Sequence, residues 1–172
     1  MHVPLRVHSV YSKGRGGASL EELAWWFART KTPAAALADI GKLFGWAKWK
    51  RAGKAAGFSP LYGCEIEFEA LGAGGEPARF VFIVRSPAGY PNLMEILNRR
   101  EVREGDGTEG LVMIYIPSPS ASCPASLGKL LDSLRDGPAA QDIYVGADFA
   151  NFKRASEFAA ERGLPLVWAN PL

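Results

Sequence analysis

Three short stretches carry side chains that could hold a metal ion: Leu5-Arg6-Val7-His8-Ser9, Ala36-Leu37-Ala38-Asp39-Ile40-Gly41 and Gly63-Cys64-Glu65. Each sets an imidazole or a carboxylate, His8, Asp39 or Glu65, at the carboxyl end of a predicted strand, where the loops of a β/α protein converge on one mouth. Three protein ligands plus a water suffice for one divalent ion that activates water for hydrolysis. Arg6 and Ile40 oppose that chemistry. Arg6 stands two residues from His8 and so shares its strand face; a fixed cation there disfavours a metal and attracts the carboxylates. The expected arrangement has Arg6 bridging Asp39 and Glu65 as the positive centre of the mouth. Simpler roles stand beside these: His8 as a buried hydrogen-bonded histidine, Asp39 as a cap for the following helix or turn, and Glu65 as one of several exposed carboxylates in Glu65-Ile66-Glu67-Phe68-Glu69. Cys64 reads as a small packing residue, since His2, the one histidine besides His8, lies too early in the chain to activate it.

Short β-rich runs alternate with amphipathic helical patterns, the mark of parallel βαβ units. Strands are predicted over Val3 to His8, Ala34 to Asp39, Ser59 to Glu69, Arg79 to Arg85, Leu111 to Ile116, Ile143 to Ala147 and Leu166 to Ala169. Ser19 with Glu22 forms a capping box for a helix to about Arg29, with Leu20, Leu23, Ala24 and Phe27 as its apolar stripe. Further helices are predicted over Leu43 to Ala56, Asn92 to Arg100, Ser126 to Arg135 and Asn151 to Arg162, two of them stopped by Gly57 and Gly163. The strict alternation from Glu65 to Glu69, followed by Gly72-Ala73-Gly74-Gly75, predicts a strand with one wet face that turns back as a hairpin. Glu101 to Glu109 and Pro117 to Pro124 read as loops.

A chain of 172 residues, 48% of them hydrophobic, can bury one sizeable core, and a single domain over 1–172 is expected. A formal charge of +2 is too mild to imply nucleic-acid binding through bulk electrostatics. Cys64 and Cys123 have neither metal-type spacing nor a secreted disulfide pattern. The apolar stretches are strand-sized and the first residues lack a leader, so an untargeted cytoplasmic protein without a membrane part is expected.

Five colinear segments resemble the PHP (polymerase and histidinol phosphatase) family, in particular the amino-terminal domain of bacterial DNA polymerase III alpha subunits. They are Leu5 to Ser12, Gly17-Ala18-Ser19-Leu20-Glu21-Glu22-Leu23, Leu37-Ala38-Asp39-Ile40-Gly41-Lys42-Leu43-Phe44-Gly45, Gly57 to Glu65, and Gly89-Tyr90-Pro91-Asn92-Leu93-Met94. The resemblance implies an α/β fold, a distorted and incomplete (β/α)7-type PHP barrel with mostly parallel strands, and, in active members, a cluster of divalent metals that activates water for phosphoester hydrolysis. Where the family has His-x-His this chain has Arg6-Val7-His8, and where it has Asp-His this chain has Asp39-Ile40. Arg6 and Ile40 thus replace ligands, and no histidine follows His8. His8, Asp39 and Glu65 are the residual ligand set, enough for at most one divalent ion such as manganese, zinc or iron; no cofactor is the preferred expectation.

Three functions follow from different classes. The first is a non-catalytic PHP domain with a structural or accessory role in DNA replication or repair. The second is a metal-dependent phosphoesterase or 3′–5′ exonuclease acting through His8, Asp39 and Glu65. The third is a nucleic-acid-binding module, with Lys13 and Arg15 in a basic glycine-rich loop and Lys50 and Lys54 on the second helix as the contacts. For that helix, Trp46, Trp49, Gly53 and Ala56 also fit a core stripe that leaves the lysines as a solvated face. The family's last strands lie beyond Leu172, which predicts an unpaired sheet edge near Leu166 to Ala169. A DNA polymerase III alpha subunit or a second copy of the chain would cover it.

Overall fold

The structure is a computed structural model that describes residues 2–102, 108–120, 123–136 and 142–172. Parts of both predicted loops, 103–107 and 121–122, lie outside the described residues. The elements run α1 (Leu20–Arg29), β1 (Ala34–Leu37), α2 (Trp46–Ala56), β2 (Ser59–Ala73), β3 (Glu76–Val84), α3 (Gly89–Arg99), β4 (Leu111–Ile116), α4 (Ala125–Asp136), β5 (Ile143–Ala147), α5 (Phe152–Arg162) and β6 (Leu166–Trp168). The six strands form one curled sheet in sequence order. β1–β2, β4–β5 and β5–β6 pair in parallel, and only β3 runs against the rest. The mixed α/β architecture with mostly parallel strands is the predicted one. None of the described helices is long and apolar enough to cross a membrane.

Local chemistry explains the elements that frame the mouth. Ser19 starts α1 as a capping box, its hydroxyl accepting from the Glu22 N–H while Glu22 accepts from the Ser19 N–H. The predicted stripe Leu20, Leu23, Ala24 and Phe27 is buried. α2 begins at Trp46 instead of Leu43, because Gly45 fits tightly under Leu37 and Asp39 and offers no side-chain cap. β2 and β3 form the predicted hairpin, whose turn uses Gly74 and Gly75 at positive φ.

Helices α1 and α2 bury Phe27 and Trp49 against the β1 side of the sheet, while α3, α4 and α5 cover the rest of its outer face. The concave face carries Ala36, Ala38, Val81, Ile83, Ile114, Ile116 and Ala169. Gly146 on β5 leaves the room those side chains fill: a Cβ there would stand 2.4 Å from Ile116 Cδ1 and 2.9 Å from Ile114 Cγ2. Gly146→Val should therefore destabilise the fold by roughly 1–3 kcal/mol, the usual cost of overpacking a filled core. Urea denaturation followed by circular dichroism checks this, and an unchanged midpoint would contradict it.

The segment predicted as strand Val3 to His8 lies beside β1 but pairs with it only through one bridge, Val7 to Leu37. Pro4 O accepts from the Ala36 N–H and Val7 exchanges hydrogen bonds with Ala36 and Ala38, so three residues on one side span two on the other. This irregularity interrupts the ladder. On the segment's far side the Leu172 N–H donates to Arg6 O at 3.2 Å, and the His8 N–H donates to Leu172 O at 3.1 Å. The sheet's two ends are thus joined through Leu172. Among the described residues β6, Leu166–Trp168, pairs with β5 alone, and Trp168 packs edge-on against the exposed Phe149.

Candidate functional site

At the mouth, Arg6, His8, Asp39 and Glu65 are all buried, with Glu65 0% exposed. Arg6 lies on the irregular amino-terminal segment and Glu65 on β2. The guanidinium meets the carboxylate side-on: Nε donates to Oε2 at 2.6 Å and Nη2 to Oε1 at 2.9 Å. His8 Nε2 sits 2.9 Å from the same Oε2. Burial alone would raise the Glu65 pKa, but the hydrogen bonds and charges of His8 and Arg6 outweigh it and hold the carboxyl at about 2. A buried, ionised carboxylate is thus matched by a buried guanidinium in the bidentate geometry that only arginine offers.

Arg6 does bridge two acids, but the second is Asp148 and not Asp39. Arg6 Nη1 lies 3.6 Å from Asp148 Oδ2. Asp39 is taken by the turn that follows His8: Oδ1 accepts from the Ser9 N–H at 2.7 Å and the Ser12 hydroxyl at 2.6 Å, and Oδ2 accepts from the Ser9 hydroxyl at 2.8 Å. The Ser12 hydroxyl oxygen also accepts from the Ile40 N–H. Asp39 thereby organises the turn before α1, a capping role on a different segment from the one expected. Ile40 is held by its backbone, bridging Glu65 in parallel, with its side chain half-buried.

Asp148, Ser9, Ser12 and Asn151 complete the mouth, and sequence reasoning misses them. Asp148 is the first residue after β5, the position where a β/α mouth gathers its side chains, and that placement is the available signal. It is fixed by its own turn: Asp148 Oδ1 accepts from the Ala150 and Asn151 N–H groups, while the Asp148 N–H donates to Asn151 Oδ1. The buried Asn151 amide in turn donates to Pro117 O and Gly146 O. Oδ2 is left facing Arg6.

The donors at the mouth are engaged largely with one another. Both Glu65 oxygens accept from Arg6 or lie against His8, both Asp39 oxygens accept from Ser9 or Ser12, and among the described residues His8 Nδ1 is the one buried side-chain polar atom without a partner. Among the described residues no group of three or more His, Cys, Asp or Glu side chains is placed to hold an ion. Cys64 is buried with its thiol pushed up to about 12, chiefly by burial, and donates to Asp39 O; it is a packing residue and no nucleophile at neutral pH.

The predicted nucleic-acid contacts are not part of this cluster. Lys13 is exposed, and Arg15 pairs with Glu67 on β2 at 3.2 Å. Their loop is folded by bonds from Arg15 and Gly16 N–H to Ser12 O, and Gly16 presses on the Ser9 backbone where a Cβ would stand 2.1 Å from its carbonyl oxygen. Lys50 and Lys54 are exposed on α2, whose Trp49 is fully buried while Trp46 is only partly so.

Comparison with known proteins agrees with this frame. Residues 4–120 match the PHP domain. The DNA polymerase III alpha subunit of Caulobacter vibrioides is 35% identical over 101 residues, 55% of this chain and 9% of the relative. That of Escherichia coli K12 is 32% identical over 111 residues, 64% and 10% respectively. The match therefore spans about a tenth of the length of these polymerase relatives. Among solved structures, an amidohydrolase from Chromobacterium violaceum superposes with a TM-score of 0.67 at 13% identity, over 100% of this chain and 87% of that one. A two-domain Bacteroides vulgatus protein containing a predicted PHP-like metal-dependent phosphoesterase superposes with a TM-score of 0.66 at 13% identity, over 98% of this chain and 50% of that one. With the curled sheet, the mouth at its strand ends and a family match covering most of the sequence, the chain belongs to the PHP domain family.

Proposed function

We propose that this chain is a non-catalytic PHP domain whose mouth is held by an internal ion pair, and that it serves as a structural or accessory element in DNA replication or repair. The observation that carries this reading is the side-on Arg6–Glu65 pair, which occupies the carboxylate that a metal would need. A water-activating ion requires several anionic or imidazole ligands with free lone pairs fixed around it. Here the Arg6 guanidinium already lies against that carboxylate. The replication context rests on the similarity to DNA polymerase III alpha subunits, a tenth of whose length is shared. The partner in such a role is a polymerase alpha subunit or a second copy of the chain, and the compartment is cytoplasmic.

A hydrolysis assay tests this reading against the alternative of a phosphoesterase or 3′–5′ exonuclease acting through His8, Asp39 and Glu65. With manganese or zinc added, the protein should release no nitrophenol from a nitrophenyl phosphoester and no nucleotide from a labelled oligonucleotide. Turnover that needs the metal and disappears in Glu65→Gln would overturn the proposal.

A further inference from the structure

The α2 flank is a basic face apart from the mouth. Trp46–Ala56 contains Lys48, Lys50, Arg51 and Lys54 and no carboxylate. All four cations are exposed and none forms an ion pair among the described residues. Lys50 and Lys54 follow Trp46 at i+4 and i+8, so the three share one side of the helix, successive positions lying roughly 6 Å apart.

That side ends at Trp46, which is partly buried and packs against both core clusters, with a more exposed tyrosine ring beside it. Trp46 is anchored by its indole N–H, which donates to Gly63 O at 3.1 Å, and packs against Tyr62 on β2 at 5.4 Å between ring centroids. Tyr90, at the start of α3, lies against Trp46 at 5.9 Å and remains 48% exposed. Next to α2 in sequence, Phe44 is 75% exposed. A row of unpaired cations leading to a rigidly backed, half-exposed ring is the combination that binds single strands: lysines meet phosphates and an aromatic face takes a base.

We propose that the Trp46–Lys50–Lys54 ridge with Tyr90 is a contact surface for single-stranded nucleic acid. The near-neutral overall charge does not argue against it, since the relevant field is the local one of a helix without acids. The site is separate from the mouth and holds whether or not the mouth binds metal.

Fluorescence anisotropy of a dye-labelled oligothymidylate, titrated with the full chain at several salt concentrations, tests it. Binding should weaken linearly in log–log form with salt, and Lys50→Ala with Lys54→Ala should lower the slope by about 1.4, at about 0.7 for each phosphate that is no longer neutralised. Tyr90→Ala should weaken affinity by roughly 5- to 150-fold, the range for removing one base stack, with the slope unchanged. Tyr90→Leu keeps the bulk but not the ring and should behave like the alanine variant, and circular dichroism confirms that each variant is folded. Absence of salt-dependent binding in the wild type would overturn the proposal. So would full affinity in both Tyr90 variants with inorganic polyphosphate competing as well as the oligonucleotide, which would mark a plain basic patch.

Discussion

Arg6→Ala should destabilise the fold by roughly 3–5 kcal/mol, the cost of stripping one partner from a buried ion pair. Glu65 would stay buried with only His8 beside it, and Asp148 would lose the cation toward which its turn aims it. For a chain of this size that loss lowers the melting temperature by about 10 °C. The exposed Arg15–Glu67 pair supplies the contrast: Arg15→Ala should cost no more than about 1 kcal/mol, because surface pairs are solvated and entropically expensive to hold. Replacing both buried partners with apolar residues, Arg6→Met with Glu65→Leu, should recover much of the loss, since it removes the unpaired charge instead of stranding it. Urea denaturation of the two single variants and the double variant gives the coupling directly. A coupling near zero would mean that the pair is incidental to the fold.

Stability should fall by about 3 kcal/mol as the solution is acidified from roughly pH 5 to pH 2, through Glu65 alone. Its carboxyl sits at about 2 in the folded chain against an ordinary value of 4.5. A group whose folded pKa is depressed contributes fully above its unfolded pKa and loses that contribution as the pH falls through the folded one. The window therefore opens just above 4.5 and closes below about 2, once the folded carboxyl too is protonated. Glu65→Gln should be less stable at neutral pH and should lack this segment of the acid titration. Arg6→Ala should narrow it, because one of the two groups that depress the pKa is gone. If the acid limb of Glu65→Gln matched that of the wild type, another carboxylate would be responsible.

Much of the fold is legible in the sequence because local chemistry and tertiary demand agree. The Ser19–Glu22 box, the Gly57 and Gly163 helix ends, β4 and β5 have their predicted limits or lie close to them. The amino-terminal segment reads as a regular strand and is not one. Its apolar run is real, but Pro4 has no N–H to donate and the backbone irregularity at Leu5 and Arg6 breaks the ladder. That the sheet closes through Leu172 is equally hidden, because two backbone hydrogen bonds leave no trace in side-chain patterns.

At the mouth, Arg6 facing a carboxylate is legible from charge and strand period, with Glu65 placed there through the family resemblance. The choice of the second acid does not. Asp39 and Asp148 are both carboxylates at strand ends, and what separates them is hydrogen-bond competition: Ser9 and Ser12 saturate Asp39, whereas the turn to Asn151 satisfies one oxygen of Asp148 and leaves the other for Arg6. Two serines in a turn read as ordinary turn residues until their acceptor is known.

Metal stoichiometry distinguishes a mouth held by the Arg6–Glu65 ion pair from one that takes an ion. Dialysed against manganese or zinc and then freed of unbound ion, the purified chain should carry well under one equivalent by elemental mass spectrometry, and Glu65→Gln should carry no less. One or more equivalents in the wild type, lost in Glu65→Gln, would show that the guanidinium yields its place to an ion and would contradict the account.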